Sequence, residues 1–326
     1  MEADSAIVSS QEENAMDTCK ARPLDLRVPK HDPLRYLLAP RRPAWARYRT
    51  LVDICGRPQD DPDVIACRRA RDASAIVRKL RARQQPDGSF RCMPWLHIHR
   101  YFFHQFIEMG YGIDDPDVRK TAEMLLNYQL PAGAYRHPHA RMVEPSKSSD
   151  NWAPCMTGYI TKALMNLGFT DDPRVQASLA VMLAGQRQNG GWICEHVGRR
   201  APYCIYGGTP WAFTCLAHAG LISKESVIAK RAIGVFTAHK DKIIRHGYHR
   251  DHCYRCDEPL LLPALFAIGL THRHSLVSDL YASLVEKQQP NGSWLFKQKS
   301  SAPHPSPWYT IECVLALCRP QQRCSI

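Results

Sequence analysis

The chain has 326 residues, with 43 Lys plus Arg against 31 Asp plus Glu, a net charge of +12, 44% hydrophobic residues, 24 prolines and 13 cysteines. This composition excludes a wholly disordered or collagen-like polymer and allows one large or two ordinary domains. No apolar run reaches the ~18 to 20 residues of a membrane-spanning helix, and an odd count of cysteines in a chain this large points to buried thiols or metal ligands rather than to disulfide staples.

Residues 1–19 carry five acids and no Lys or Arg, the composition of a disordered tail. They have neither the positive n-region nor the apolar h-region of a secretory signal, so the cytoplasm is the expected compartment. The remaining residues carry +17, a charge that suits nucleic acid, anionic lipid or a phosphorylated small molecule alike. Residues 20–44 are basic and spotted with Pro23, Pro29, Pro33, Pro40 and Pro43, which predicts an irregular arm wrapping a domain. Regular structure is expected from near Trp45, one domain over 45–320, and a short tail over 321–326.

Within that domain the sequence repeats itself. QQPDGSF (84–90), YQLPAGAY (128–135), GQRQNGGW (185–192) and KQQPNGSW (287–294) share a glutamine, a glycine and an aromatic, and HGY (246–248) is a degenerate fifth copy. The glycines Gly88, Gly133, Gly191 and Gly292 are spaced by 45, 58 and 101 residues, the last interval dividing at Gly247, a period that holds two helices per repeat. Asp61-Pro62, Asp115-Pro116 and Asp172-Pro173 mark one helix of each pair. Their acids invite a metal-diphosphate reading, but Asp followed by Pro is the N-cap chemistry of a helix start, which is the stronger reading. A second proline register (Pro94, Pro154, Pro210, Pro259, Pro307) opens the other helices. TKALMNLGF, WAFTCLAHAGL, LLLPALFAIGL and YTIECVLALC are apolar almost all round, so these form a buried inner ring and the charged helices an outer one.

Gln-x-x-Asp/Asn-Gly-x-aromatic turns between paired helices resemble the QW-type repeats of the prenyltransferase and squalene-cyclase superfamily over residues 45–320. The resemblance implies an all-α fold, an α/α toroid of about five repeats of paired inner and outer helices. The Asp-x-Asp-Asp and Asp-Asp-x-x-Asp motifs expected of the two terpene-cyclase classes do not occur. Asp251-His252-Cys253-Tyr254 is similar to the zinc-binding Asp-Gly-Cys-Tyr of protein prenyltransferase β subunits, although Tyr309-Thr310 stands where that family has Tyr-His. Cys155-Met156-Thr157-Gly158, Trp192-Ile193-Cys194 and Cys204 resemble most nearly small stand-alone toroid proteins of unsettled function.

In such a toroid the loops before the inner helices share one face with the helix N-termini, whose unpaired N–H groups attract anions and favour thiolates. Cys155, Cys194, Cys204 and Cys253 gather there as candidate zinc ligands; small buried thiols are the competing reading. Asp257, Asp251 and His97 are the candidate acid/base groups. On the first inner helix His97, Tyr101, His104 and Glu108 form one polar stripe, suited to a cavity wall with a proton donor or acceptor, or to satisfying neighbouring backbone near the closed end. Trp95, Trp211 and Trp308 follow the inner-helix prolines and, with Tyr101, His104, Tyr309 and Arg255, are expected to contact substrate; aromatic faces suit an isoprenoid chain or a carbocation. Two functions follow: an enzyme that cyclises, isomerises or prenylates an isoprenoid or polycyclic terpenoid, including a zinc-dependent prenyltransferase β-like subunit, or a non-catalytic scaffold with structural cysteines and a basic partner surface. No nucleic-acid motif is present, so nucleic acid is not an expected partner.

Overall fold

Asp61, Asp115 and Asp172 cap the outer helices α3 (Pro62–Asp72), α6 (Pro116–Asn127) and α8 (Pro173–Ala184): each carboxylate accepts backbone N–H groups of the first turn. The acid-proline pairs are therefore helix starts. The structure, a computed structural model, describes residues 29–91, 103–136, 152–193, 205, 207–246, 248–249, 255–296 and 302–318. Two further outer helices are α10 (Val227–Ala238) and α13 (Ser275–Glu286). The inner helices are α5, described over 103–108, α7 (Pro154–Asn166), α9 (Gly208–His218), α12 (Glu258–Ala267) and α14 (Pro307–Cys318). Short helices α4 (Ala75–Arg81) and α11 (Lys240–His246) extend the outer layer, and two hairpin fragments pair 248–249 with 255–256 and 295–296 with 304–305. Among the described residues no helix is long and apolar enough to cross a membrane.

α7 packs on α9, α9 on α12 and α12 on α14, while α8, α10 and α13 cover them from outside. The result is an α/α toroid. The N-terminal segment adds a sixth wall: α2 (Ala44–Arg49) runs on as a π-helical turn, Thr50–Ile54, and packs against α14. Part of the expected irregular arm is also helical. Asp32-Pro33 repeats the acid-proline start, with Asp32 Oδ1 accepting from Leu34 N at 2.9 Å to cap α1 (Pro33–Leu37).

Each repeat turn docks on the beginning of the next outer helix. Gln129 Nε2 donates to Gly133 O within its own turn (2.8 Å) and to Arg174 O at the start of α8 (2.6 Å). Gln186 does the same with Gly190 O and Ile228 O, both at 2.9 Å, and Gln84 reaches Asp117 O at 2.7 Å. In the third copy Gly190 rather than Gly191 is the repeat glycine. It closes the turn by donating to Arg187 O and takes φ of +89°, because Gly191 lies one residue past that bend. The possible fifth copy at Gly247 lies outside the described residues.

Gln288 makes the last contact of this kind with the N-terminal segment, its Nε2 donating to His31 O (2.7 Å) and its Oε1 accepting from His31 N (2.9 Å). There α1 takes the place that a following outer helix takes elsewhere, and the ring closes. Gly292 permits the approach: its φ is +84°, and an added Cβ would lie 2.3 Å from Asp32 O. Inside the ring, buried Thr157, Thr209 and Thr310 accept the backbone N–H of the turn aromatics Tyr135, Trp192 and Trp294 (3.0, 3.1 and 3.1 Å). The Thr of Cys155-x-Thr157-Gly158 thus ties a turn to an inner helix, and its glycine lets α9 approach, since a Cβ there would sit 2.7 Å from that of Trp211.

Gly292→Ala should open this seam and lower stability by about 1–3 kcal/mol in urea unfolding. Gly234→Ala, in the middle of α10 with open space around it, should instead stabilise by about 0.5–1 kcal/mol.

Candidate active-site cavity

The ring encloses a cavity of about 710 Å³. Three inner helices line it with residues three or four apart, which share a helix face: Tyr159, Lys162 and Asn166 on α7; Trp211, Thr214 and His218 on α9; Trp308, Glu312 and Leu315 on α14. Successive inner helices run parallel because each is followed by an outer helix that returns. The cavity therefore grades from an aromatic layer on the inner-helix N-terminal side to a polar layer nearer the C-terminal ends. α5 adds His104 and Glu108, and the N-terminal segment adds Arg49 and Asp53.

The aromatic layer is interlocked. His104 stacks on Tyr159 with ring centroids 3.7 Å apart, and Tyr159 meets Trp211 edge-on at 5.0 Å. Opposite them, the Arg255 guanidinium lies 5.1 Å from the Trp308 ring centre, where cation–π attraction holds both.

Beneath lie the charges. Arg49 Nε donates to Asp53 Oδ2 at 2.6 Å, and its Nη1 reaches the Glu108 carbonyl at 3.5 Å. Arg255 Nη1 approaches Glu312 Oε2 at 4.0 Å. Burial pushes the Glu108 carboxyl up from 4.5 to about 8, the charge of Glu312 adds to the shift, and Arg49 and Arg255 offset only part of it. Such a group is mostly protonated at neutral pH. Glu108 is only partly buried, but its open surface faces the cavity, so desolvation still dominates. Burial works against the Arg255 charge, yet Asp257 and Glu312 hold its pKa above the ordinary value.

The structure separates the sequence-derived candidates. His104, Trp211, Trp308 and Arg255 line the cavity together. Tyr309 is buried beside Phe296, 5.6 Å between centroids, and is not among the lining residues. Asp257 is also set behind the wall: its two oxygens accept from Arg255 Nε at 2.8 and 2.9 Å, and Oδ1 caps α12 by accepting from Leu260 N at 3.2 Å. His97, Asp251, Trp95, Tyr101, Cys194, Cys204 and Cys253 lie outside the described residues. Of the four proposed zinc ligands only Cys155 is described, fully buried in the first turn of α7. Among the described residues no three His, Cys, Asp or Glu side chains are grouped to hold a metal ion.

Sequence reasoning expected the opening at the inner-helix N-termini and reached Glu108 only as one member of a stripe. The N-terminal face lies largely outside the described residues; among the described residues the cavity meets solvent near the inner-helix C-terminal ends, where exposed Asn166 and Asp114 line it. Glu312 was missed. It is the sole charged residue of α14, and one acid on an otherwise apolar inner helix was the signal available.

No protein-family model matches the chain, and no curated protein matches it in sequence. Its fold is similar to that of a protein from Actinoplanes, at 17% identity over 86% of this chain and 89% of the other, with a TM-score of 0.46. It is also similar to the type II terpene cyclase MstE from Scytonema, at 13% identity over 86% and 87% of the two chains, with a TM-score of 0.46. The same cyclase in complex with geranylgeranyl dihydroxybenzoate gives 14% identity over 86% of each chain and a TM-score of 0.45.

The raised Glu108 pKa makes stability depend on pH with a fixed sign. The folded protein binds this proton more tightly than the unfolded chain, so the contribution is complete below about pH 4.5 and is lost as pH rises through about 8. Relative to Glu108→Gln, the wild-type Tm should fall across that window and level off above it. Asp257→Asn breaks a buried ion pair and should cost about 3–5 kcal/mol at neutral pH, read by urea unfolding.

Proposed function

We propose that the protein is a terpenoid-cyclase-like enzyme that takes an isoprenoid or polycyclic terpenoid into the toroid cavity and initiates cyclisation or isomerisation by proton transfer from Glu108. One observation carries the reading: a carboxyl with its pKa raised to about 8 lines a cavity walled by Tyr159, Trp211 and Trp308. A general acid must keep its proton at the working pH and stand within reach of the reacting atom. The aromatic layer supplies faces for an apolar chain and for positive charge developing on it. A volume of about 710 Å³ lies within the ~300–1,000 Å³ that encloses a small ligand.

The substrate is neutral in this reading. Arg49 and Arg255 are engaged by Asp53 and Asp257, and Lys162 Nζ donates to Asn166 Oδ1 at 2.6 Å. The described mouth lies at inner-helix C-terminal ends, whose carbonyl dipoles oppose an anion such as diphosphate.

The test is incubation with neutral isoprenoids (squalene, its 2,3-epoxide and geranylgeraniol) and with geranylgeranyl diphosphate, followed by mass-spectrometric product analysis. Turnover of a neutral substrate is expected, with Glu108→Gln slowing it by about 10²–10⁴-fold. Turnover of the diphosphate alone would overturn the reading, and binding of all without turnover would leave a carrier rather than an enzyme.

A further inference from the structure

Positive charge on the outer layer is concentrated in one stretch. Residues 66–83, from the middle of α3 through α4, hold seven Lys or Arg and one acid, Asp72. Two of these cations serve the fold. Arg71 donates from Nη1 to Gly110 O and from Nε to Asp72 Oδ1, both at 2.9 Å, and Arg81 Nη2 donates to Asp115 Oδ2 at 2.6 Å. Asp72 is engaged twice over, since its Oδ1 also accepts from the Tyr111 hydroxyl at 2.6 Å. Arg68, Arg69, Arg78 and Lys79, by contrast, make no hydrogen bond or ion pair among the described residues. The buried residues of the two helices, Val64 and Arg71 on α3 and Val77 and Leu80 on α4, turn the opposite stripes outward. Arg69, Arg78, Lys79 and Arg83 are exposed there, and among them lie exposed alanines at 66, 70, 73, 75 and 82 and the half-exposed Ile76 (50%). The other outer helices differ. The single cation of α8, Arg174, is paired with Asp172 and Glu123, α6 and α13 each carry two acids, and α10 has two cations, Lys230 and Arg231.

We propose that the outer face of α3 and α4 docks the protein on an anionic lipid bilayer. The inference goes beyond the reading of the cavity and does not rest on it. Charge complementarity selects an anionic partner, and the uncharged residues of the face select among anionic partners. A protein of defined shape is held by large anchors such as Trp, Tyr or Met fitted into pockets, and interfaces of that kind are poor in Ala and Lys. A single nucleic-acid strand is held by bases stacked on aromatic side chains, and residues 66–83 contain no aromatic. A headgroup layer demands no matching shape. Cations on long stems reach the lipid phosphates, short alanine side chains let the helices lie close to the surface, and Ile76 can enter the boundary with the acyl chains. Each Lys or Arg held near such a surface strengthens adsorption about fivefold, so Arg69, Arg78, Lys79 and Arg83 together raise it by about 10²–10³-fold.

The test is sedimentation of the full chain with sucrose-loaded vesicles, either pure phosphatidylcholine or phosphatidylcholine with about 30 mol % phosphatidylserine. Binding to the serine-containing vesicles alone is expected, and raising NaCl from ~50 to ~500 mM should release the protein, because salt screens exposed charges. Arg69→Gln combined with Lys79→Gln should weaken binding about 25-fold. Lys230→Gln combined with Arg231→Gln removes the same charge from exposed positions on α10 and should leave binding within about twofold, since the attraction fades beyond a Debye length. All four residues are exposed, and circular dichroism verifies that both variants fold. Equal binding to the two kinds of vesicle, or binding to neither, would overturn the proposal. Equal weakening by the two double variants would assign the binding to overall charge and remove the α3–α4 face as the site. A single-stranded oligonucleotide is tested in parallel: if it binds through Arg69 and Lys79 while the serine-containing vesicles do not bind, the face belongs to nucleic acid and the proposal fails.

Discussion

The side-chain amide of the turn glutamine is the contact on which the rest of the molecule depends. A tight turn leaves a backbone carbonyl of its own to satisfy, and the start of the neighbouring outer helix presents another. One NH₂ group, with two donors in a plane, serves both. Gln129 and Gln186 make the pair of bonds in full, and Gln288 makes it across the seam. Since each described copy links a turn to the next helix pair, repetition bends the chain into a ring, and the contact at His31 ends the series. The aromatic residue that follows is buried by the same geometry: Trp192 and Trp294 each donate their indole N–H to a carbonyl of the preceding outer helix at 2.7 Å.

A ring built from its perimeter need not fill its centre. Inner helices spaced by their contacts with outer helices surround a volume that their own side chains enter only in part, and polar residues survive there because they meet a cavity instead of a packed core. That explains how Glu108, Glu312, Arg49 and Lys162 can share an apolar interior without collapsing into it. It also explains their unequal roles. Arg49 and Arg255 each have an Asp side chain in hydrogen-bond contact, whereas burial and the nearby Glu312 both raise the Glu108 pKa, since two carboxyls in one low-dielectric space do not both ionise readily.

Much of the fold was legible because the features that build it are local. Asp-Pro caps, turn glycines and largely apolar inner helices each leave a signature within about ten residues. The displaced glycine, Gly190 for Gly191, was legible from spacing: Gly190 lies four residues after Gln186 and two before Trp192, as in the other described copies, and its positive φ and hydrogen bond to Arg187 O agree. α1 was hidden by proline density, although Asp32-Pro33 carries the same capping signal as the other three pairs. The site was less legible, since a cavity is made by residues far apart in sequence. Arg49, Glu108, Arg255 and Glu312 come from four separate segments. Asp257 was a candidate acid by its place near the N-terminus of an inner helix, but Arg255, two residues before it, turns its oxygens to structural use. Glu312 was overlooked because its helix reads as plain core.

The seam at Gln288 joins residues 257 positions apart, and this separation has a consequence for how the protein is made. A chain emerging from the ribosome can form the early helix pairs one after another, each docking on its predecessor through local contacts. None of these intermediates is closed. Until α13 and its turn have been synthesised, α1 has no turn to receive, and the apolar faces of the inner helices remain open to solvent along one side of an arc. Closing so long a loop adds only a slowly growing entropy cost, but it makes the last step one of high contact order. The same bond that completes the cavity thus defines the interval during synthesis in which the chain is most exposed to aggregation and to capture by chaperones.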